Sequence, residues 1–109
     1  MASISNIVID QETTFSLELN LTNDDASAKN LANYTVTSQM RKSYDAATFT
    51  NFTTAKVDNT GKVTISLTAA ETAALKSGRY VYDIEIASSS ETLRVLEGIV
   101  TVTPNVTRA

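Results

Sequence analysis

Residues 77–107, SGRYVYDIEIASSSETLRVLEGIVTVTPNVT, decide the fold class of this chain. Tyr80, Tyr82, Ile84 and Ile86 occupy every second position, and a second alternating run follows three consecutive serines. Alternation with a period of two turns one row of side chains into a core and the other row away from it. The stretch therefore predicts two long β-strands joined by a short polar turn.

Two residues predict where the second of these strands is interrupted and where it ends. Gly98 follows Glu97 and interrupts the alternation, and a glycine inside a strand often marks a β-bulge. Pro104 lacks the N–H group that strand pairing needs. We therefore expect a bulge at Glu97 and Gly98, and we expect pairing to stop at Pro104.

Outside this hairpin the chain continues to favour strands. Threonine, valine and isoleucine are abundant, and β-branched side chains fit a pleated, half-buried surface. Phe49 and Phe52 are out of phase with each other, which predicts a bulge or twist in their strand. Further strands are predicted over residues 4–9, 15–21, 34–42, 49–56 and 63–67.

One segment breaks the β pattern. Residues 68–76, TAAETAALK, are rich in helix-forming alanine, and Thr68 with Glu71 matches a capping box. Gly78 stands where a left-handed residue would end the helix, and we expect Leu75 to close one end of the core. The whole pattern predicts an all-β fold, an immunoglobulin-like antiparallel sandwich of about seven strands with one short helical crossover at about 68–76, in a single domain spanning 1–109.

The composition excludes several function classes. The 109 residues include neither cysteine nor histidine, which excludes disulfides, thiolate metal sites and histidine-based catalytic triads. The net charge of −3 argues against nucleic-acid binding, and no apolar run approaches the roughly 20 residues of a membrane-spanning helix. Asp24 and Asp25 could offer oxygens to Ca²⁺, but the loop lacks an EF-hand pattern and solvated turn residues are favoured. We expect no cofactor, no metal, and neither a nucleic-acid nor a membrane partner.

A second pair of carboxylates lies on one predicted strand. Asp83 and Glu85 are two residues apart and therefore share the outer face. Paired carboxylates can hydrolyse glycosides, but these alternate with core residues and nothing in the sequence indicates a cleft. We favour a polar outer face on which Arg94 and Lys56 pair with them across strands.

Candidates for partner binding come from the terminal strands and from one loop. Terminal strands often lie at sheet edges, where they can pair with another chain, so residues 4–9 and 100–106 are candidates. The loop that follows the predicted strand 34–42 places Tyr44 beside Arg41 and Lys42. Tyrosine and arginine are enriched at interface hot spots, although an ordinary exposed loop tyrosine is the commoner case. The candidate partner-binding residues are Ile7, Ile9, Arg41, Tyr44, Val102 and Val106.

Three stretches of the sequence carry a family resemblance: residues 65–75 (ISLTAAETAAL), 78–86 (GRYVYDIEI) and 96–108 (LEGIVTVTPNVTR). With weaker support from FSLEL at 15–19 and MRKS at 40–43, the chain resembles small virion structural proteins of tailed bacteriophages, notably phages of cyanobacteria and other marine bacteria. More remotely it is similar to the N-terminal domain of phage baseplate upper proteins. The likeness covers most of the chain and is strongest in its second half.

The resemblance implies a non-enzymatic β-domain built into a virus particle, in contact with other virion proteins and with copies of itself. Baseplate upper proteins carry a receptor-side region after such a domain. This sequence stops at Ala109, so we expect no such region and favour an adaptor, cement or decoration protein. The first residues lack the basic start and apolar core of a secretion signal, so we expect assembly in the host bacterial cytoplasm and localisation in the virion. The alternative is a carbohydrate-binding or host-adhesion module, and an enzyme is the least favoured class.

Overall fold

A computed structural model describes residues 3–23, 27–104 and 106 of the chain. Asp24 and Asp25 lie outside the described residues. The described elements are β1 (Ser3–Ile4), β2 (Ile7–Asp10), β3 (Phe15–Asn20), β4 (Thr35–Arg41), β5 (Thr50–Asn51), β6 (Thr53–Val57), β7 (Lys62–Leu67), α1 (Ala69–Ala73), β8 (Gly78–Ala87) and β9 (Thr92–Thr103). Because β1 with β2 and β5 with β6 are each one interrupted strand, these segments amount to the predicted seven strands.

The strands form two sheets. In the large sheet, β1 and β2 both pair with β9, which is followed by β8, β4 and β5; the small sheet has the order β3-β7-β6. The predicted immunoglobulin-like sandwich is confirmed. Every described strand pair is antiparallel except those of β1 and β2 with β9, which are parallel. The parallel pairs arise because the N-terminal strand lies alongside the last strand rather than alongside its neighbours in sequence.

The β8–β9 hairpin contains one irregularity, and its position differs from the prediction. Ile84 lies opposite Leu96 while Glu85 lies opposite Arg94, so Val95 is the extra residue. The prediction of a bulge at Glu97 and Gly98 is therefore wrong. Pairing of β9 does end at Thr103, directly before Pro104, as expected.

Gly98 serves a different purpose. A Cβ atom at this position would lie 2.1 Å from the Ser5 carbonyl oxygen, so only glycine allows the N-terminal strand to approach this closely. The ladder that the N-terminal strand forms with β9 is interrupted here, between β1 and β2, and side chains supply two of the hydrogen bonds. The Asn6 Oδ1 accepts a hydrogen bond of 3.1 Å from the Ile99 N–H, and the Tyr82 hydroxyl donates to the Ser5 carbonyl.

The out-of-phase aromatics mark a crossing between sheets rather than a bulge. β5 pairs with β4 in the large sheet, whereas β6 pairs with β7 in the small sheet. Phe52, the residue between them, is buried and packs its ring against Phe15 and Tyr82, with centroid separations of 5.9 and 6.3 Å. One strand thus closes one side of the sandwich, and its aromatic residue fills the corner.

The helix closes one end of the core. The capping box of Thr68 and Glu71 is present, as predicted, and Leu75 is buried. The helix ends at a right-handed cap, and Gly78 instead begins β8 with φ of 136°, so its predicted role as the helix stop is wrong. Both sheets supply the core, which contains Ile9, Leu31, Met40, Phe52, Val63, Ile65, Leu67, Leu75, Tyr82, Ile84, Ile86, Leu96, Val100 and Val102.

Candidate functional site

The outer face of the large sheet carries a shallow recess of about 360 Å³, which we call the polar recess. Its floor is formed by outward side chains of β4, β8 and β9, and the loop after β4 forms one wall. Its volume is at the lower end of the range of small-ligand sites. The lining residues are Thr37, Gln39, Arg41, Tyr44, Val81, Asp83, Glu85, Arg94 and Glu97, together with Ser38 and Tyr82, whose side chains are buried beneath the floor.

Charged groups of both signs meet in the polar recess. The Arg94 Nε lies 3.4 Å from Asp83 Oδ2, which confirms the predicted cross-strand pair. Lys56, predicted to join it, instead lies on the small sheet and pairs with Asp58, with an Nζ–Oδ1 distance of 2.6 Å. Alternation predicted the outward direction of these side chains correctly, but it carries no information on the change of sheet that places Lys56 on β6.

Burial raises the pKa of Asp83 above its ordinary value. The neighbouring carboxylate of Glu85 raises this pKa further, and the Arg94 guanidinium partly opposes the effect. The carboxyl group is therefore poorly solvated and already engaged with a cation. The polar recess can offer hydrogen-bond donors and acceptors to a ligand, but Asp83 is part of an ion pair and is not a free catalytic base.

The loop that forms the wall is held by Arg41. Its Nη1 donates a 2.6 Å hydrogen bond to the Ala46 carbonyl oxygen, and its guanidinium carbon lies 4.6 Å from the centroid of the Phe49 ring. Arg41 is thus occupied inside the domain, which reduces its value as a partner anchor. Tyr44, by contrast, is 80% exposed, so its ring is available to a partner or ligand.

The predicted partner-binding residues of the terminal strands differ widely in exposure. Ile9 and Val102 are only 1% and 2% exposed, so their side chains belong to the core and do not offer the predicted contact to a partner. Ile7 is half-buried against the same core. Val106, beyond the end of β9, is 97% exposed and remains a candidate.

The open side of the large sheet lies at β1 and β2, which we call the N-terminal edge. β9 is not an edge strand, because it pairs with β8 on one side and with β1 and β2 on the other; the prediction for residues 100–103 is therefore wrong. Ile4 and Val8, on the outer face of the N-terminal edge, are 77% and 62% exposed, and Ile99 is exposed beside them. The predicted segment 4–9 includes Ile4 and Val8, but the individual residues predicted for partner binding do not. The unbroken apolar run Ile7 to Ile9 indicates that both faces of this strand are apolar.

The N-terminal edge differs from the other long edges in charge. Charged side chains on an edge strand discourage pairing with a foreign strand. The small sheet carries such groups on both of its edges: Glu18 on β3, which lies 3.1 Å from Lys62, and Lys56 on β6. Residues 4–9 of the N-terminal edge have no ionisable side chain. The first ionisable side chain after them is that of Asp10, at the end of β2.

Across residues 3–23, 27–104 and 106, no group of three or more aspartate or glutamate side chains is arranged to hold a metal ion. Over the same ranges, no helix has the length and apolar character needed to cross a membrane.

Comparison with known proteins defines the fold and nothing finer. No protein-family model matches the sequence, and no curated protein matches it. Among solved structures, InlP of Listeria monocytogenes superposes with a TM-score of 0.52 at 14% identity, over 94% of this chain and 28% of that one. A family 123 glycoside hydrolase from Clostridium perfringens gives a TM-score of 0.41 at 12% identity, over 94% of this chain and 23% of that one. The chain thus spans less than a third of either protein, and the likeness to InlP shows a shared fold alone.

Proposed function

We propose that this chain is a non-enzymatic structural component of a tailed bacteriophage particle, in its tail, baseplate or neck or on the capsid surface. It acts through protein–protein contacts, and the N-terminal edge is the main contact surface. The observation that carries this proposal is the uncharged open edge that presents Ile4 and Val8. The resemblance of residues 65–108 to virion proteins supplies the biological setting.

An open strand edge favours assembly because its unpaired N–H and C=O groups pair with a strand of a neighbouring chain. Apolar side chains beside that edge add burial to the main-chain hydrogen bonds, at about 25 cal/mol per Å² of apolar surface. Both contributions are available at Val8, whose side chain is exposed on the outer face. The partners are other virion proteins and copies of the same chain.

The side-chain inventory supports a role without catalysis. Histidine and cysteine, the commonest general base and the most nucleophilic side chain, do not occur in the sequence. The carboxylate candidates Asp83 and Glu85 share one strand face, and Asp83 is paired with Arg94. The polar recess is therefore better suited to binding than to acid–base chemistry.

Mass spectrometry of purified particles tests the proposal. We expect the polypeptide in particles of the phage that encodes it, and we expect purified protein to bind particles that lack it. In that binding assay Val8→Lys should reduce uptake at least tenfold, whereas Ser16→Lys, on the exposed face of an edge in the small sheet, should not. Particles without any trace of this polypeptide would refute a structural role in the virion.

A second candidate function, carbohydrate binding for host adhesion, is favoured by one observation. Tyr44, with an 80% exposed ring, stands at the wall of the polar recess. Sugars stack on aromatic rings and bond to polar side chains, so this arrangement is compatible with a shallow glycan site. A glycan array tests it: binding that Tyr44→Ala abolishes supports adhesion, and an array without binders eliminates it.

A further inference from the structure

We infer that the N-terminal edge pairs with the N-terminal edge of a second copy of this chain, antiparallel about a two-fold axis, with Val8 opposite Val8 of the other copy. This inference rests on the proposed function, since it names the partner of the same edge. A two-fold interface uses the same patch on both copies, so the patch must be complementary to itself. The hydrogen-bond directions, the side chains and the charges of β2 each meet that condition.

The main-chain groups of Val8 point away from the domain. Ser5 N–H donates to the Glu97 carbonyl at 2.9 Å and Gln11 N–H donates to the Thr103 carbonyl at 3.1 Å, so the odd-numbered residues of this strand bond to β9. In a parallel ladder the intervening residues direct both N–H and C=O to the opposite side. The N–H and C=O of Val8 therefore face the open edge, where an antiparallel strand can bond to both.

The charges allow this strand to face itself. When Val8 lies opposite Val8, the residue opposite Asp10 is Asn6, because a step of two residues forward along one antiparallel strand is a step of two residues back along the other. The two carboxylates of the dimer are then kept apart, and no like charges meet across the pair. The apolar Val8 side chains meet on the outer face, where each is otherwise 62% exposed.

Asn6 and Asp10 complement each other in the same register. The Asn6 Oδ1 accepts from the Ile99 N–H, which leaves its amide N–H groups as donors. The Asp10 Oδ1 accepts from the Thr103 hydroxyl at 2.5 Å, which leaves Oδ2 as an acceptor. A register centred on Asn6 would instead place the two Asn6 amides opposite each other. Because each amide oxygen already accepts from Ile99, two N–H donors would then face each other without an acceptor. The register centred on Val8 gives each amide a carboxylate acceptor, twice in the dimer.

Sedimentation velocity over a concentration series tests the inference on the full chain. We expect a reversible dimer for the wild type. Val8→Lys places two ammonium groups opposite each other and should raise the dimer Kd at least tenfold, as should Val8→Pro, which removes the outward N–H while leaving the bonds to β9 intact. Val8→Thr keeps a β-branched side chain and should change Kd less than threefold, and Ser16→Lys on β3 serves as a charge control. The melting temperature of each variant shows that it is folded.

Disulfide trapping tests the register independently, because the chain has no cysteine of its own. Residues in a hydrogen-bonded antiparallel pair have Cα atoms about 5.5 Å apart, within the range that a disulfide spans. Oxidised Val8→Cys should therefore give covalent dimers, whereas Thr101→Cys, one strand further in on the same face, should not. A wild type that stays monomeric at about 1 mM, or a dimer whose Kd is unchanged by Val8→Lys and Val8→Pro, overturns the inference.

The two proposals fail separately. A monomeric protein that is nevertheless found in particles overturns only the self-pairing. A Val8-dependent dimer that is absent from particles overturns only the virion role.

Discussion

The Tyr82 hydroxyl donates a 2.5 Å hydrogen bond to the Ser5 carbonyl oxygen, and so connects the N-terminal strand to β8. The bond lies where the ladder between the N-terminal edge and β9 is interrupted, beside Gly98. It supplies the Ser5 carbonyl with a partner that β9 does not provide. The stability of the first strand should therefore depend on residues 77 positions away from it.

Tyr82→Phe removes this hydrogen bond and leaves the ring in place. We expect a loss of about 1 kcal/mol in the free energy of unfolding, the usual net contribution of one hydrogen bond. Hydrogen exchange should locate the effect, with faster exchange in β1 and β2 than in β7. Equal protection of the first strand in both proteins would contradict this assignment.

Tyr82 also predicts a response to alkaline pH. Burial raises the pKa of Tyr82 above its ordinary value, because the charged phenolate is poorly solvated inside the domain. A group whose pKa is raised by folding stabilises the protein below the unfolded pKa and loses that contribution as the pH rises through the folded pKa. Urea unfolding should show a wild-type stability that falls above about pH 10, with a smaller fall in Tyr82→Phe.

Gly98→Ala should destabilise the domain through a steric clash. The added Cβ would meet the Ser5 carbonyl oxygen at 2.1 Å, a backbone atom that cannot rotate away. We expect a cost of about 2 kcal/mol, typical of overpacking, measured by urea denaturation. Thr101→Ala, on the outer face of the same strand, is the control and should cost under about 0.5 kcal/mol.

Thr72→Val tests how the helix is attached. The Thr72 hydroxyl is fully buried; it accepts from the Thr13 N–H at 3.1 Å and donates to the Thr13 carbonyl at 2.8 Å. The isosteric valine leaves both groups of Thr13 without this partner, so we expect a loss of about 2 kcal/mol in thermal or urea unfolding. Thr14→Val, at an exposed position next to Thr13, should be nearly neutral.

Asp83→Asn should change the acid side of the pH profile. Because its pKa is raised by folding, Asp83 stabilises the protein below the unfolded pKa and loses that contribution as the pH rises through the folded pKa. The difference in unfolding free energy, variant minus wild type, should therefore increase from pH 3 to pH 7. A difference that decreases over this interval would show that the Arg94 ion pair, rather than burial, governs Asp83.

Alternation predicted the fold because, in a strand with one buried face, every second side chain is apolar and buried. Tyr82, Ile84 and Ile86 are buried as that rule requires, and the capping box of Thr68 placed the start of the helix. These features depend on local geometry alone, so a sequence is sufficient to find them.

Features that depend on tertiary contacts were not predictable in the same way. Gly98 is a glycine because of Ser5, which is remote in sequence, and Phe52 is out of phase because its strand changes sheets. Ile9 and Val102 were candidates only because they belong to terminal strands, and their burial follows from the pairing of those strands with each other. The polar recess likewise required the register of three strands.

The parallel pairing of β2 with β9 also determines how the domain carries a mechanical load. Ser3 and Thr103 lie at opposite ends of adjacent strands that run in the same direction. Tension applied between these two residues drives the strands past each other, along the ladder and across the direction of its hydrogen bonds. The bonds of β2 to β9 are then loaded together instead of opening one at a time, so the domain has the geometry of a shear clamp.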